Sequence, residues 1–243
     1  MSTASRRDFI IYGSALGFLP FFRPKHISLA GARYRIRRNG HSARRYLLIH
    51  GNEETAREVL VAHMQRYPGI AHVVTGHDRN VPIDSGKFDP NRIFSREGAE
   101  NNLRRLNPGW TPEYLEKMVR KLDHGRDKLV RNLLPPPDGR LVALHNNSEG
   151  YSVKDEVPIS DEVSLKDADH PHEFFLCTDK QDFAQMSASP YNVVLQRTAP
   201  KEDDGSLSRL AAKRGMRYLN LEVALGQRAK QVEMLVWLEH HLR

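Results

Sequence analysis

Strands and helices alternate along most of this chain, which predicts an α/β protein built on a layered sheet. Three observations carry that expectation. Two short apolar runs, Tyr46–Ile49 and Leu141–Leu144, each end abruptly in a polar cluster that begins with a histidine. Between and beyond them, apolar residues recur at helical spacing, as at Val59, Leu60, His63 and Met64. Finally, 243 residues with 39% hydrophobic content suit one domain with a substantial core.

The elements follow in order. Ser5-Arg6-Arg7-Asp8-Phe9-Ile10 leads into an apolar stretch ending at Phe22, shorter than the roughly 20 residues that span a bilayer. This looks like a twin-arginine export signal, so residues 1–32 are expected to be a signal sequence, residues 33–243 the working domain, and the location periplasmic. No stable membrane span is expected. Tyr34–Arg38 and Arg45–Ile49 read as strands joined by a turn at Asn39-Gly40. Glu54–Tyr67 reads as a helix stopped by Pro68-Gly69, and His72–Thr75 as a short strand. Residues 77–92 read as a loop. Thr111-Pro112-Glu113 opens a long helix to about Leu134, with threonine as cap and proline in its first turn. Leu141–Leu144 has the continuous apolar profile of a central strand. Further strands are expected at 173–178, 192–196 and 217–223, and Gln227–Leu242 closes the chain as a helix.

Composition narrows the function. The net charge is +7, but Arg6, Arg7, Arg23 and Lys25 lie in the first 32 residues, and the remaining cations are interspersed with acids. No basic stripe with interleaved aromatics appears, which argues against a nucleic-acid partner. The single cysteine, Cys177 in Phe174-Phe175-Leu176-Cys177, excludes a disulfide framework and reads as a small buried hydrophobe. Any metal site must rest on histidines and carboxylates.

His50-Gly51-Asn52-Glu53, placed where a buried strand ends, offers two such ligands three residues apart. An imidazole and a carboxylate at that spacing can share a cation if the chain turns into a helix, and Gly51 removes a side chain that would crowd it. Carboxyl ends of strands are where open α/β sheets place their sites. His170-Pro171-His172-Glu173 repeats the spacing but reads better as a polar loop rim. His145 and Glu222 stand at two further expected strand ends, completing three ligands and one carboxylate outside them, the needs of a hydrolytic zinc site.

With these residues the chain resembles the zinc metallocarboxypeptidase superfamily, especially its succinylglutamate desuccinylase/aspartoacylase branch. Four motifs occur in the order of that branch: His50–Glu53, Asp89-Pro90-Asn91-Arg92-Ile93-Phe94, Leu144-His145-Asn146 and Glu222-Val223. The resemblance implies a three-layer mixed β-sheet flanked by helices, one zinc ion on His50, Glu53 and His145, and Glu222 as general base and acid. It implies that Arg92 polarises the scissile carbonyl or holds a substrate carboxylate, with Asn91 beside it. Asn146 is a further candidate substrate contact, and Arg79, Tyr191 and Arg197 are candidates because they fall in loops near strand ends.

Two departures stand out. Ala143 occupies the place where many relatives carry an aspartate, and the segment before Asn91-Arg92 offers only Lys87 where an arginine or tyrosine is common. The implied function is hydrolysis of an amide or peptide bond beside a carboxylate, in a small molecule or a cell-wall peptide. A rival reading is an inactive relative that binds a peptide or glycan without cutting it. A third is an anion-binding surface protein, which predicts strong salt dependence and no zinc.

Overall fold

The computed structural model describes residues 26–29, 31–147 and 150–242. The elements run β1 (His26–Leu29), β2 (Ala32–Asn39), β3 (Arg45–Leu48), α1 (Glu54–Arg66), β4 (Gly69–Val74), β5 (Val81–Ile83), β6 (Gly86–Phe88), α2 (Arg96–Leu106) and α3 (Pro112–Leu133). They continue with β7 (Leu141–Asn147), α4 (Val153–Glu156), β8 (Glu162–Ser164), β9 (Phe174–Cys177), α5 (Lys180–Met186), β10 (Asn192–Leu195), α6 (Leu207–Arg214), β11 (Tyr218–Ala224) and α7 (Arg228–His241). No described helix is long and apolar enough to cross a membrane.

Nine strands form one mixed sheet in the order β1-β2-β4-β3-β7-β11-β9-β10-β8. Its centre is parallel: β4, β3, β7 and β11 all run the same way, so their carboxyl ends share one edge. That shared edge is where the candidate ligands gather. The register separates the two faces. Leu29, Ala32 and Tyr34 lie on the same face as His72, Leu47 and Ala143, and Leu29 meets Gly125 of α3 there. Tyr46 points the other way, to His63 of α1 and Glu239 of α7. Helices therefore cover both faces, giving the expected three layers.

Tyr46 belongs to a buried ionic cluster on that second face. Its hydroxyl donates to Glu239 at 2.5 Å, and Arg44 reaches the same carboxylate at 2.7 Å. A buried carboxylate is tolerated because these donors replace its water.

Four details differ from the sequence-based expectation. The strands before and after Asn39-Gly40 are not partners, because β4 lies between β2 and β3, antiparallel to one and parallel to the other. The loop at 77–92 contains a small β5–β6 hairpin and a 3-10 turn at Pro90–Arg92. Helix α2 escapes notice in the sequence because its buried positions are Gly98, Ala99, Asn102 and Leu103, too small and polar to form a stripe, although Ser95 caps it. Finally, β1 pairs along β2 with Ile27 and Leu29 buried, so the boundary expected at 32/33 falls inside a β-hairpin. The rest of the expected export signal, residues 1–25, lies outside the described residues.

Candidate metal centre

The two candidate histidines sit at the carboxyl ends of neighbouring strands, and Glu53 at the start of the helix that follows the first. After β3 the backbone turns through His50-Gly51-Asn52 into α1, which puts Glu53 at the helix start. Gly51 is required there for a different reason from the expected one: a Cβ would lie 2.6 Å from the carbonyl oxygens of both Gly76 and Asp78. Gly51 also donates its N–H to the Asp78 carbonyl at 3.0 Å, pinning the 76–78 loop beside the cluster. Glu53 leaves the helix end uncapped, and Asn146 at the tip of β7 does that work, its Oδ1 accepting the Ala56 N–H at 2.7 Å. This bond ties the strand carrying His145 to the helix carrying Glu53.

The three side chains converge. His50 Nδ1 lies 2.7 Å and His145 Nδ1 3.2 Å from the same oxygen of Glu53. All three are buried, at 1%, 4% and 3% exposure for His50, His145 and Glu53. They form the one His/Glu/Asp/Cys cluster among the described residues whose ligand atoms, all within 4.8 Å of one another, could hold a metal. The second imidazole nitrogen of His50 faces Asp89 Oδ1 at 2.9 Å, and Arg79 donates to the other Asp89 oxygen at 3.1 Å. Asp89 thus fixes the ring so that Nδ1 faces the cluster.

The electrostatics fit a cation. Burial alone would lower the His50 pKa, but the Glu53 and Asp89 carboxylates outweigh it and hold the imidazole at about 9. Burial likewise pushes Glu53 upward, and His145 and His50 outweigh it, holding the carboxyl at about 2. Burial also works against the Asp89 charge, and the His50 hydrogen bond with Arg79 nearby keeps its carboxyl well below the usual range. Positive charge is therefore what this pocket of acids demands. Glu53 Oε2 is buried without a partner among the described residues, leaving one ligand atom free. Two imidazole nitrogens and one buried carboxylate with an orphaned oxygen are a donor set that suits zinc.

Glu222 stands beside this cluster. It is the register partner of His145 across β11 and β7, and Asn220 donates to its Oε1 at 3.0 Å. Burial first, then the Glu53 charge, raises its pKa to about 7, against the opposing pull of His145 and Asn220. A carboxyl at that value can take and return a proton near neutrality.

These groups line one cavity of about 440 Å³, together with Arg79, Asn91, Arg92, Asn146, Asn147, Tyr151, Glu156, Asp204 and Arg209. Arg92 and Arg209 flank Asp204, at 3.6 and 3.8 Å from its two oxygens. Asn91 accepts the Leu207 N–H at 3.1 Å, so the turn carrying Arg92 is bound to the start of α6, which carries Arg209.

Some expected site residues do other work. Tyr191 is a correction: its hydroxyl donates to Glu233 at 2.8 Å and its ring packs against Phe175 and Trp237, away from the cavity. Arg197 is exposed and does not line the cavity either; its backbone N–H donates to Asp161. Asn146 lines the cavity, but its amide is engaged by Ala56, Val223 and Gln231, which makes it a scaffold residue. His170 pairs with Asp167 and His172 with the Tyr151 carbonyl, so the second His-x-x-Glu is a loop rim. Cys177 is buried, its thiol 3.6 Å from the Val194 carbonyl. Sequence reasoning missed Arg209 and Glu156; position in a short helix before β11, and at the end of a short helix after β7, were the only signals. It also assigned no role to Asp89, although the motif containing it was noticed.

Fold and site together define an α/β protein with a candidate metal centre at the carboxyl ends of adjacent parallel strands. Solved structures of the succinylglutamate desuccinylase/aspartoacylase family resemble it. One is a succinylglutamate desuccinylase/aspartoacylase from Rhodobacter sphaeroides, with TM-score 0.46 and 15% identity over 90% of this chain and 63% of that one. Another is the product-bound ectoine utilization protein EutE from Ruegeria pomeroyi, with TM-score 0.47 and 20% identity over 86% of this chain and 60% of that one. A third is an aspartoacylase family protein from Mesorhizobium loti, with TM-score 0.42 and 18% identity over 86% and 61%. The chain spans about three fifths of the length of these structures. No family profile matches the sequence, and no curated protein matches it.

Proposed function

We propose that this protein is a zinc-dependent hydrolase that cleaves an amide or peptide bond adjacent to a carboxylate. The observation that carries this reading is the convergence of His50 and His145 on one oxygen of Glu53, with Glu222 on the next strand. His50, Glu53 and His145 would hold the ion, which when bound supplies Lewis acidity for a carbonyl and for a water molecule. Glu222 takes a proton from the attacking water as its oxygen bonds to the carbonyl carbon, then delivers that proton to the nitrogen as the C–N bond breaks. Asn220 orients the carboxylate for both transfers. Arg92 and Arg209 hold the substrate carboxylate, which their fixed forks of donors suit, and Asp204 holds that charge balance in its absence. Asp89 keeps the His50 ring aligned.

The resemblance carried by the four motifs from His50 to Val223 supports a small acylated amino acid as substrate class. The twin-arginine pattern expected from Ser5 to Phe22 extends the proposal to cell-wall peptides and a periplasmic site of action. The test is release of primary amine from a panel of N-acetyl amino acids and short peptides by the zinc-supplied protein, alongside Glu222→Gln. Turnover confined to the unaltered protein supports the reading. Binding without turnover in both would favour the rival, a ligand-binding relative.

A further inference from the structure

Four carboxylates line the cavity, and three are accounted for. Glu53 is claimed by two histidines, Asp204 lies between two arginines, and Glu222 faces His145 as the proton-handling group. Glu156, at the end of α4, is left with neutral donors only. Its Oε1 accepts the Tyr151 hydroxyl at 2.7 Å, and its other oxygen accepts the Gln196 amide. No described cation lies within ion-pair distance of it. This half-buried carboxylate faces the cavity with two neutral side chains on it and no described countercharge.

The neighbourhood gives that charge a direction. Gln196, at 1% exposure, donates to Glu156 through its amide nitrogen and accepts from Arg209 Nη1 at 3.1 Å through its amide oxygen. A single fixed amide therefore separates a guanidinium from a carboxylate along one wall. A ligand with a carboxylate and an ammonium a few atoms apart matches this arrangement. A ligand with a second anion in place of the ammonium is repelled by it, and an apolar group leaves Glu156 desolvated and unpaired.

We propose that Glu156, held by Tyr151 and Gln196, is a specificity-determining residue that receives a protonated amine of the substrate. The substrate class is then an N-acyl amino acid or peptide bearing an ammonium group near its carboxylate. The inference rests on the hydrolase reading for the word substrate, but the ammonium site itself is a matter of binding.

The experiment titrates three racemic probes into zinc-supplied Glu222→Gln protein: Nα-acetylornithine, its isostere N-acetylnorleucine, and N-acetylglutamate. The ornithine compound is expected to bind about tenfold tighter than the norleucine compound, and the glutamate compound weakest, as a partly desolvated ion pair dictates. Adding Glu156→Gln collapses the ornithine preference. Equal binding of ornithine and norleucine probes, binding of none, or a preference untouched by Glu156→Gln overturns the proposal. If the double variant does not fold, the ornithine-to-norleucine ratio in the Glu222→Gln protein decides alone. Amine release by the unaltered protein is read separately: its absence beside a Glu156-dependent ornithine preference sinks the hydrolase reading and leaves the ammonium site standing.

Discussion

Glu222 and His145 are register partners on adjacent parallel strands, so the sheet itself holds the proposed proton acceptor beside a candidate metal ligand. Backbone hydrogen bonding sets that separation, and neither side chain depends on a loop for its place. Glu222→Gln keeps the shape and the Asn220 contact while removing the ability to take a proton. Turnover is expected to fall about 10²–10⁴-fold with zinc content unchanged, measured by amine release and elemental analysis. Retained turnover in this variant contradicts the role given to Glu222.

Asp89 acts on the cluster through His50. Asp89→Asn replaces a charged acceptor by an amide and loosens both the ring and the Arg79 contact. Zinc affinity is expected to weaken about 10–100-fold, with a smaller change in thermal midpoint, when read by competition with a chelator. An unchanged affinity would separate Asp89 from the metal site.

His72 gives the fold a pH dependence. It is buried on the same face as Leu47 and Ile36, and burial, with Arg45 and Arg38 adding, lowers its pKa from 6.5 to about 4. Between those values the unfolded chain binds a proton that the folded chain refuses. Its contribution is therefore constant above the unfolded value and falls as pH drops toward the folded one, by up to about 3 kcal/mol. Denaturant unfolding should show the stability difference between the native chain and His72→Gln shifting in favour of the variant from pH 7 to pH 4.5. A difference independent of pH refutes the assignment.

The strand β1 is a load on stability that the sequence hides. Leu29 is 1% exposed and packs on α3 at Gly125. A chain beginning at Arg33 loses this strand, and even Leu29→Ala should cost about 2–5 kcal/mol. Thermal unfolding of chains beginning at His26 and at Arg33 measures the difference. Equal midpoints would show that β1 adds nothing.

Much of the candidate site was legible because its candidate ligands follow strong local signals. His50 and His145 follow apolar runs of strand length, and Glu53 follows His50 at helical spacing. What the sequence hides is placement across the fold. The position of β4 between β2 and β3 depends on long-range pairing that no local pattern encodes. Tyr191 was expected in the cavity for its nearness to a strand end, yet the packing of Phe175 and Trp237 turns it toward α7. Arg209 and Glu156 are charged residues in short helices, indistinguishable in sequence from a solvated face. Only the folded chain brings them to Gln196.

Elemental analysis of the purified protein tests most directly whether His50, Glu53 and His145 hold a metal. About one zinc per chain is expected in the native protein and in Glu222→Gln, and none in His145→Ala. Zinc retained in His145→Ala, or no metal in any of the three after zinc is supplied, would contradict that assignment.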